Sequence, residues 1–210
     1  PVYNTGHFLG LTSIFNGNII RQAEFYTGAA PAEYGGRLSS VTAIETKKGN
    51  KKQWAFNGDF GILDSDISIE GPISDKGPSS VIASSRAFYI FPLVNELQKN
   101  TEGANFYFYD LNLKANYEIS PGSKLELSYF YGQDKLRYND ISRNSTGEMT
   151  NHTEDQDVSN SVVSLRYFNA IQKKYFLSAI AGYTDNRGGF NNSNEIGRAH
   201  VWTPVTQANL

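Results

Sequence analysis

The chain has 210 residues, a formal net charge of −2 and no cysteine. A nearly neutral chain lacks the basic surface with which proteins bind nucleic acid, and a chain without cysteine has no disulfides, thiolate metal ligands or cysteine nucleophile. No run of about 18 apolar residues occurs, so no transmembrane helix is expected. The mean hydropathy of −0.45 is equally compatible with strands that alternate between lipid and water.

The first part of the chain is predicted to contain short elements. Asn16 or Asn18 is expected to cap a short helix at residues 19–22. Strands are expected at residues 23–26 and 40–46, on either side of a glycine-rich stretch whose glycines mark positions where a Cβ would be awkward.

From residue 54 onward, apolar and polar side chains alternate with a period of two, which is typical of β-strands. The clearest segment is 107–117, where Tyr, Leu and Ala occupy the odd positions, while Asp110, Asn112 and Lys114 lie among the even ones. We predict seven antiparallel strands, near residues 54–62, 66–73, 79–88, 106–118, 124–138, 158–169 and 175–186.

The segment before these strands carries a long, gapless motif. Its residues are Ile20, Glu24, Tyr26, Gly28, Pro31, Ala32, Tyr34, Gly35, Gly36, Arg37, Leu38, Ser39, Ser40 and Val41. This motif resembles the end of the plug domain in TonB-dependent outer-membrane receptors, in the form typical of Bacteroidetes. The resemblance implies that residues 1–50 are the C-terminal part of an α+β plug. Residues 51–194 are then the N-terminal part of an incomplete transmembrane β-barrel of about 22 strands.

The connections between the predicted strands alternate in length, apart from a short one at 62–66. Short connections are expected at 74–79, 120–123 and 171–174, and long ones at 89–105 and 139–157. Outer-membrane barrels have short periplasmic turns and longer extracellular loops, so the long connections are expected to face outside. A turn of amphipathic helix is expected at 93–99, within one of them.

The resemblance implies an active importer in the outer membrane of a Gram-negative bacterium, with a glycan, a peptide or a siderophore as its ligand. Its expected partners are outer-membrane lipid, the inner-membrane TonB complex and a surface lipoprotein that captures ligand. The TonB complex would act on an N-terminal segment that is absent here, because we expect the chain, which starts at Pro1, to be a fragment. Two alternatives remain open: a small outer-membrane barrel with a structural or adhesive role, and an extracellular sugar-binding β-sandwich.

The same resemblance suggests two groups of site residues. A plug loop that looks outward is expected to contact ligand through Tyr3, Asn4, His7 and Phe8. The end of the plug is expected to pack against the barrel through Glu24, Tyr34, Gly35, Gly36 and Arg37. For the polar faces of the barrel strands, simple hydration is favoured over contact with the plug.

No motif predicts an enzyme, a cofactor or a metal site. The three histidines are far apart in the sequence, and no His-x-x-x-His spacing occurs. A G-x-S-x-G elbow and a phosphate-binding loop are also missing. The acidic stretch 154–157 is interpreted as solvated loop charge, with a loop Ca²⁺ site as the weaker alternative.

The end of the chain has a different character. Residues 195–206 read EIGRAHVWTPVT and lose the alternation of the preceding strands. A reverse translation of this stretch nearly reproduces a common short-read sequencing adapter. We therefore expect residues 195–210 to be adapter read-through, with a genuine loop and strand as the alternative.

Overall fold

The structure is a computed structural model. It describes residues 6–7, 12–28, 31–32, 34, 40–74, 77–92, 96, 103–143, 149–171 and 175–197. Among these residues, no helix is long and apolar enough to span a membrane.

The chain is mainly β, as predicted. The first strands are β1 (Gly6–His7), β2 (Thr12–Ser13), β3 (Ile20–Thr27) and β4 (Ser40–Thr46). They are followed by β5 (Ala55–Phe60), β6 (Asp64–Pro72), β7 (Ser80–Phe88), β8 (Gly103–Ser120), β9 (Ser123–Arg143), β10 (Met149–Ile171) and β11 (Tyr175–Gly197). All pairings are antiparallel: β1 pairs with β2, β3 pairs with β4, and β5 to β11 form one seven-stranded sheet in chain order.

The helix expected at residues 19–22 is wrong. A 3₁₀ turn covers Gly17–Ile19 instead, and the side chain of Asn16 caps it by accepting a hydrogen bond from the backbone N–H of Asn18 at 2.9 Å. Ile20 already has extended dihedrals, φ −72° and ψ 129°, and it pairs with Thr46 of β4. The cap was recognised correctly, but pairing with β4 takes the following residues into a strand.

The long loop expected at 139–157 is also wrong. Strand β9 continues to Arg143, and β10 begins at Met149, directly opposite it. Residues in this part are polar on both faces, so apolar alternation gives no signal there, while the backbone ladder continues unbroken. Strand β11 likewise runs past its predicted end, and its last residues, Glu195–Gly197, pair with β10.

One further expectation, a short turn between β8 and β9, can be checked in the structure, whereas those for the helix turn at 93–99 and for the tail mostly lie outside the described residues. The short turn between β8 and β9 is confirmed, and it is made by Pro121 and Gly122, whose φ of +90° suits glycine. Residues 90–92 and 96 are helical, but most of the helix turn expected at 93–99 lies outside the described residues. The tail from residue 198 onward also lies outside them, so its origin as adapter read-through stays a prediction.

The seven-stranded sheet has its polarity inverted relative to a water-soluble sheet. On what we call its inner face, Ser84, Arg86, Asp110, Asn112 and Lys114 are buried. The opposite, outer face carries exposed apolar side chains. One register row across it consists of Phe56, Ile69, Ala83, Leu113, Tyr129, Val163 and Tyr183. The alternation in the sequence therefore assigned apolar and polar residues to opposite faces correctly. The covered face is the polar one.

The two small sheets, with the turn between them, cover part of the inner face. Buried Ile14 and Ile19 come from this part of the chain, and buried Ile82, Phe108 and Phe130 come from the large sheet. The hydrophobic core is thus a small layer between the N-terminal segment and a largely polar face.

The connection from β4 to β5 runs against the large sheet at Gly49. The glycine has a φ of +85°, and a Cβ there would lie 2.5 Å from the carbonyl oxygen of Val81. The carbonyl of the preceding Lys48 accepts hydrogen bonds from Ser80 and Asn116, both at 2.7 Å. The N-terminal segment is therefore joined to the sheet by backbone contact at this point.

We expect Gly49→Ala to destabilise the protein by about 2 kcal/mol or more, because it combines a left-handed backbone with a clash against main chain. The control is Gly188→Ala, where a Cβ meets nothing within 4 Å; alanine there should be neutral or slightly stabilising. The free energy of unfolding in denaturant measures both, and equal values for the two variants would contradict the expectation.

Candidate functional site at the buried polar face

Two neighbouring residue pairs on the inner face, each joining β8 to β9, form the surface against which His7 packs. Phe108 is paired with Asp134, and Asp110 with Gly132. The imidazole of His7 stacks on the Phe108 ring, with centroids 3.9 Å apart and planes inclined by 7°. A Cβ on Gly132 would lie 3.0 Å from the Phe130 ring, which is a tight contact, and 3.6 Å from the His7 ring, which is an ordinary one.

The His7 ring lies between two carboxylates. Its Nδ1 is hydrogen-bonded to Oδ1 of Asp134, and its Nε2 lies 3.6 Å from Oδ2 of Asp110. His7 is 1% exposed and Asp110 is fully buried. Charged and polar groups held this far from water are stable only when they are paired.

Arg86 of β7 completes the cluster. Its Nε donates to Asp110 at 2.9 Å, and a terminal nitrogen lies 2.7 Å from the same carboxylate oxygen. The terminal nitrogen also donates to the carbonyl of Ser13 in β2 at 2.6 Å. The guanidinium carbon lies 5.2 Å above the centre of the Phe108 ring. Arg86 therefore pairs with a carboxylate of the sheet and at the same time binds the N-terminal hairpin β1–β2.

The protonation of His7 is set by these neighbours. Burial by itself lowers the pKa of an imidazole, because it disfavours the charged form. The neighbouring carboxylates of Asp110 and Asp134 oppose that effect and outweigh it, so the pKa of His7 is raised above its ordinary value of 6.5. The protonated form is consequently the one that this site favours.

Further contacts join β3–β4 and the preceding 3₁₀ turn to the sheet. Nζ of Lys114 donates to the carbonyl of Thr46 at 3.2 Å, and it lies 3.3 Å from Glu126. The side-chain amide of Asn18 donates to Asp66 at 2.6 Å and to Asp59 at 3.0 Å. Hydration of the polar face, which the sequence favoured, is therefore wrong for Asp110 and Lys114, because both contact the N-terminal segment.

A cavity of about 410 Å³ separates β3–β4 from the sheet. Glu24 and Tyr34 line one side of it, and Glu126 and Arg166 line the other. Its lining is about equally polar and apolar.

Of the residues expected to contact ligand, the structure describes His7, while Tyr3, Asn4 and Phe8 lie outside the described residues. His7 does not look outward, because its ring is enclosed by the two carboxylates and Phe108. A ligand contact by His7 stays a prediction, and it would require this enclosure to open.

Of the residues expected to pack the plug against the barrel, Glu24 and Tyr34 are described, and Gly35, Gly36 and Arg37 are not. Glu24 accepts hydrogen bonds from Gln22 and Tyr26 of its own strand, and the Tyr34 ring lies 5.7 Å from that of Tyr26. Both line the cavity, whereas the contacts described above come from other residues: His7, Ser13, Asn18, Thr46 and Lys48.

Sequence reasoning missed Arg86 and Asp134 as partners of the N-terminal segment. A signal was present for Arg86, which falls on the even-numbered, inner face of β7 together with Ser84. Among the described residues, no group of three or more His, Cys, Asp or Glu side chains is placed to hold a metal ion.

We expect Arg86→Met to destabilise the protein by about 3–5 kcal/mol, because it leaves the buried Asp110 carboxylate without its main partner. Adding Asp110→Asn to that variant should recover part of the loss. The control is Arg137→Met, which breaks an exposed pair with Asp155 and should cost less than about 1 kcal/mol. Denaturant unfolding measures the three variants, and equal costs for Arg86→Met and Arg137→Met would show that the buried pair has no special role.

Comparison of the chain with models of protein families, with curated proteins and with solved structures gave no match.

Proposed function

We propose that the chain is part of a TonB-dependent importer of the outer membrane. In this proposal, residues 1–50 are the end of the plug, and β5 to β11 are the first strands of the barrel wall. The observation that carries the proposal is the inverted polarity of the seven-stranded sheet, whose charged face is buried in the central strands β7 and β8 and whose apolar face is exposed.

An exposed row such as Phe56, Ile69, Leu113, Val163 and Tyr183 costs free energy in water. In lipid the same row is favourable, and transmembrane barrels carry an outward apolar band about 25 Å tall with aromatic residues near its borders. Further aromatic residues on this face support the match: Trp54, Tyr109, Tyr117 and Tyr175 are all exposed.

The topology supports a larger, closed wall. Strands follow one another as neighbours from β5 to β11, and β11 is a 23-residue strand at the edge of the described sheet. A long edge with unpaired backbone groups is unfavourable, especially in a membrane, unless further strands continue it. Barrels whose lumen holds a plug are the large ones, with about 22 strands.

The covered inner face disfavours the alternatives. A β-sandwich buries the apolar faces of its two sheets against each other, whereas here the apolar face is the open one. A small eight-stranded barrel fills its interior with its own side chains, which leaves no room for a segment such as β1–β4. Both alternatives are therefore weaker than the plugged barrel.

The proposal also assigns sides and partners. The ends with the turn at Pro121–Gly122 face the periplasm, and the extended ends of β9 and β10 face outside. The outer face contacts membrane lipid. The TonB complex acts on a more N-terminal part of the protein, and a surface lipoprotein delivers ligand of the glycan, peptide or siderophore type.

We expect Leu165→Arg, in the middle of the outer face, to destabilise the membrane-inserted protein by about 2–4 kcal/mol. Thr153→Arg is the control, because Thr153 lies on the same face of β10 near its outer end, where an arginine should cost less than about 1 kcal/mol. Unfolding in lipid vesicles measures both variants. If Leu165→Arg is tolerated and the protein fractionates as soluble, the membrane location is wrong.

Import itself is tested with the full-length gene in its own host. A strain lacking the gene and a strain lacking TonB are grown on siderophore-bound iron, on glycans or on peptides as the limiting nutrient. An importer of this type should give at least one growth defect that both strains share and that the intact gene restores. Import through this protein would be contradicted if, on every nutrient tested, the strain lacking the gene grew normally and only the strain lacking TonB showed a growth defect.

A further inference from the structure

The His7 ring lies between two carboxylates, those of Asp110 and Asp134, and Arg86 pairs with Asp110. A protonated imidazole carries a positive charge and an N–H on each ring nitrogen, so it interacts favourably with both carboxylates. A neutral imidazole has one N–H and no charge, so its unprotonated nitrogen faces a carboxylate without an attraction. In a site this far from water, the loss of that attraction is unfavourable.

The small space beside the ring adds no further ionisable side chain among the described residues. It is lined by Ile14, Phe130, Val158, Ser159 and Asn160, in addition to His7, Asp134 and Gly132. The first five of these side chains do not ionise. Arg86 comes from β7, Asp110 from β8 and Asp134 from β9, so the charged groups that face His7 are those three.

His7 also belongs to a short hairpin that depends on contacts with the large sheet for its stability. Strands β1 and β2 have 2 residues each, and so short a hairpin is not stable by itself in water. Its described polar links to the sheet are those of His7 to the two carboxylates and of the Ser13 carbonyl to Arg86. Weakening of the His7 contacts therefore acts directly on the docking of the hairpin.

We propose that His7 is a proton-dependent latch, which holds the hairpin β1–β2 on the inner face when the ring is protonated and loosens when the ring loses its proton. Neutral His7 keeps one N–H for a single carboxylate and loses its attraction to the other. The latch therefore weakens in the neutral form without vanishing.

The direction of the pH effect follows from the raised pKa of His7. An undocked His7 has the ordinary value of about 6.5, and docking raises it. Protonation thus stabilises docking fully below about pH 6.5, and this contribution is lost as the pH rises through the raised pKa. By the same linkage, release of the hairpin at a pH between the two values is accompanied by release of a proton.

Hydrogen exchange of the full-length protein between pH 6 and pH 9 tests the proposal, with rates corrected for the intrinsic pH dependence of amide exchange. Protection of residues 6–13 should fall with rising pH, by up to about tenfold for each unit by which docking raises the pKa. Amides of β8 at 111–117 serve as the internal control and should stay equally protected. Protection of residues 6–13 that is the same at both ends of the range overturns the proposal.

Two variants separate the proton from mere packing. In His7→Gln, residues 6–13 should be less protected at pH 6 and should show no pH-dependent fall. In Asp134→Asn, the fall should move to lower pH, because one of the groups that raise the pKa of His7 has lost its charge. A His7→Gln variant with the same pH-dependent fall as the unaltered protein shows that another group titrates, and it overturns the proposal. The test depends on the contacts of His7 alone and is independent of import.

Discussion

The buried carboxylate of Asp110 constrains the whole arrangement. It lies on the inner face of a sheet whose other face is apolar, so it cannot turn toward water without reversing the alternation of β8. It is tolerated because Arg86 comes from the neighbouring strand and His7 comes from the N-terminal segment. Arg86 pairs with Asp110 from within the sheet, and His7 becomes a second partner when the N-terminal segment covers this part of the inner face.

The contacts between the two parts combine apolar packing with hydrogen bonds. Apolar contact with the inner face is provided by a few buried side chains, among them Ile82, Phe108 and Phe130, and polar groups make the other contacts. Hydrogen bonds from Lys114 to Thr46 and from Asn116 to Lys48 end on backbone carbonyls of the N-terminal segment. Carbonyls in these positions need partners once they are covered. The sheet satisfies them with side chains of its inner face.

Local signals in the sequence were sufficient for the strands and their faces. Alternation is a property of neighbouring residues, and it assigned Leu113 and Lys114 to opposite faces without any knowledge of the fold. It failed beyond Tyr138, where both faces of β9 and β10 are polar and only the backbone ladder continues. The contact between His7 and Asp134 joins residues separated by 127 positions. No local sequence pattern encodes such a contact. His7 was therefore predicted to lie in an outward-facing loop, whereas the structure buries its side chain.

The unequal lengths of the strand ladders give the molecule a mechanical direction. Strands β10 and β11 pair over 23 residues, and their hydrogen bonds lie across the strands. A force along these strands acts on many of the ladder's hydrogen bonds at the same time, so this part of the sheet resists shear. In the described part of the chain, hairpin β1–β2 has two residue pairs, and a pull on it loads its bonds and the His7 contacts one after another. Tension applied to the N-terminal segment would therefore detach the hairpin β1–β2 first, while the seven-stranded sheet keeps its structure.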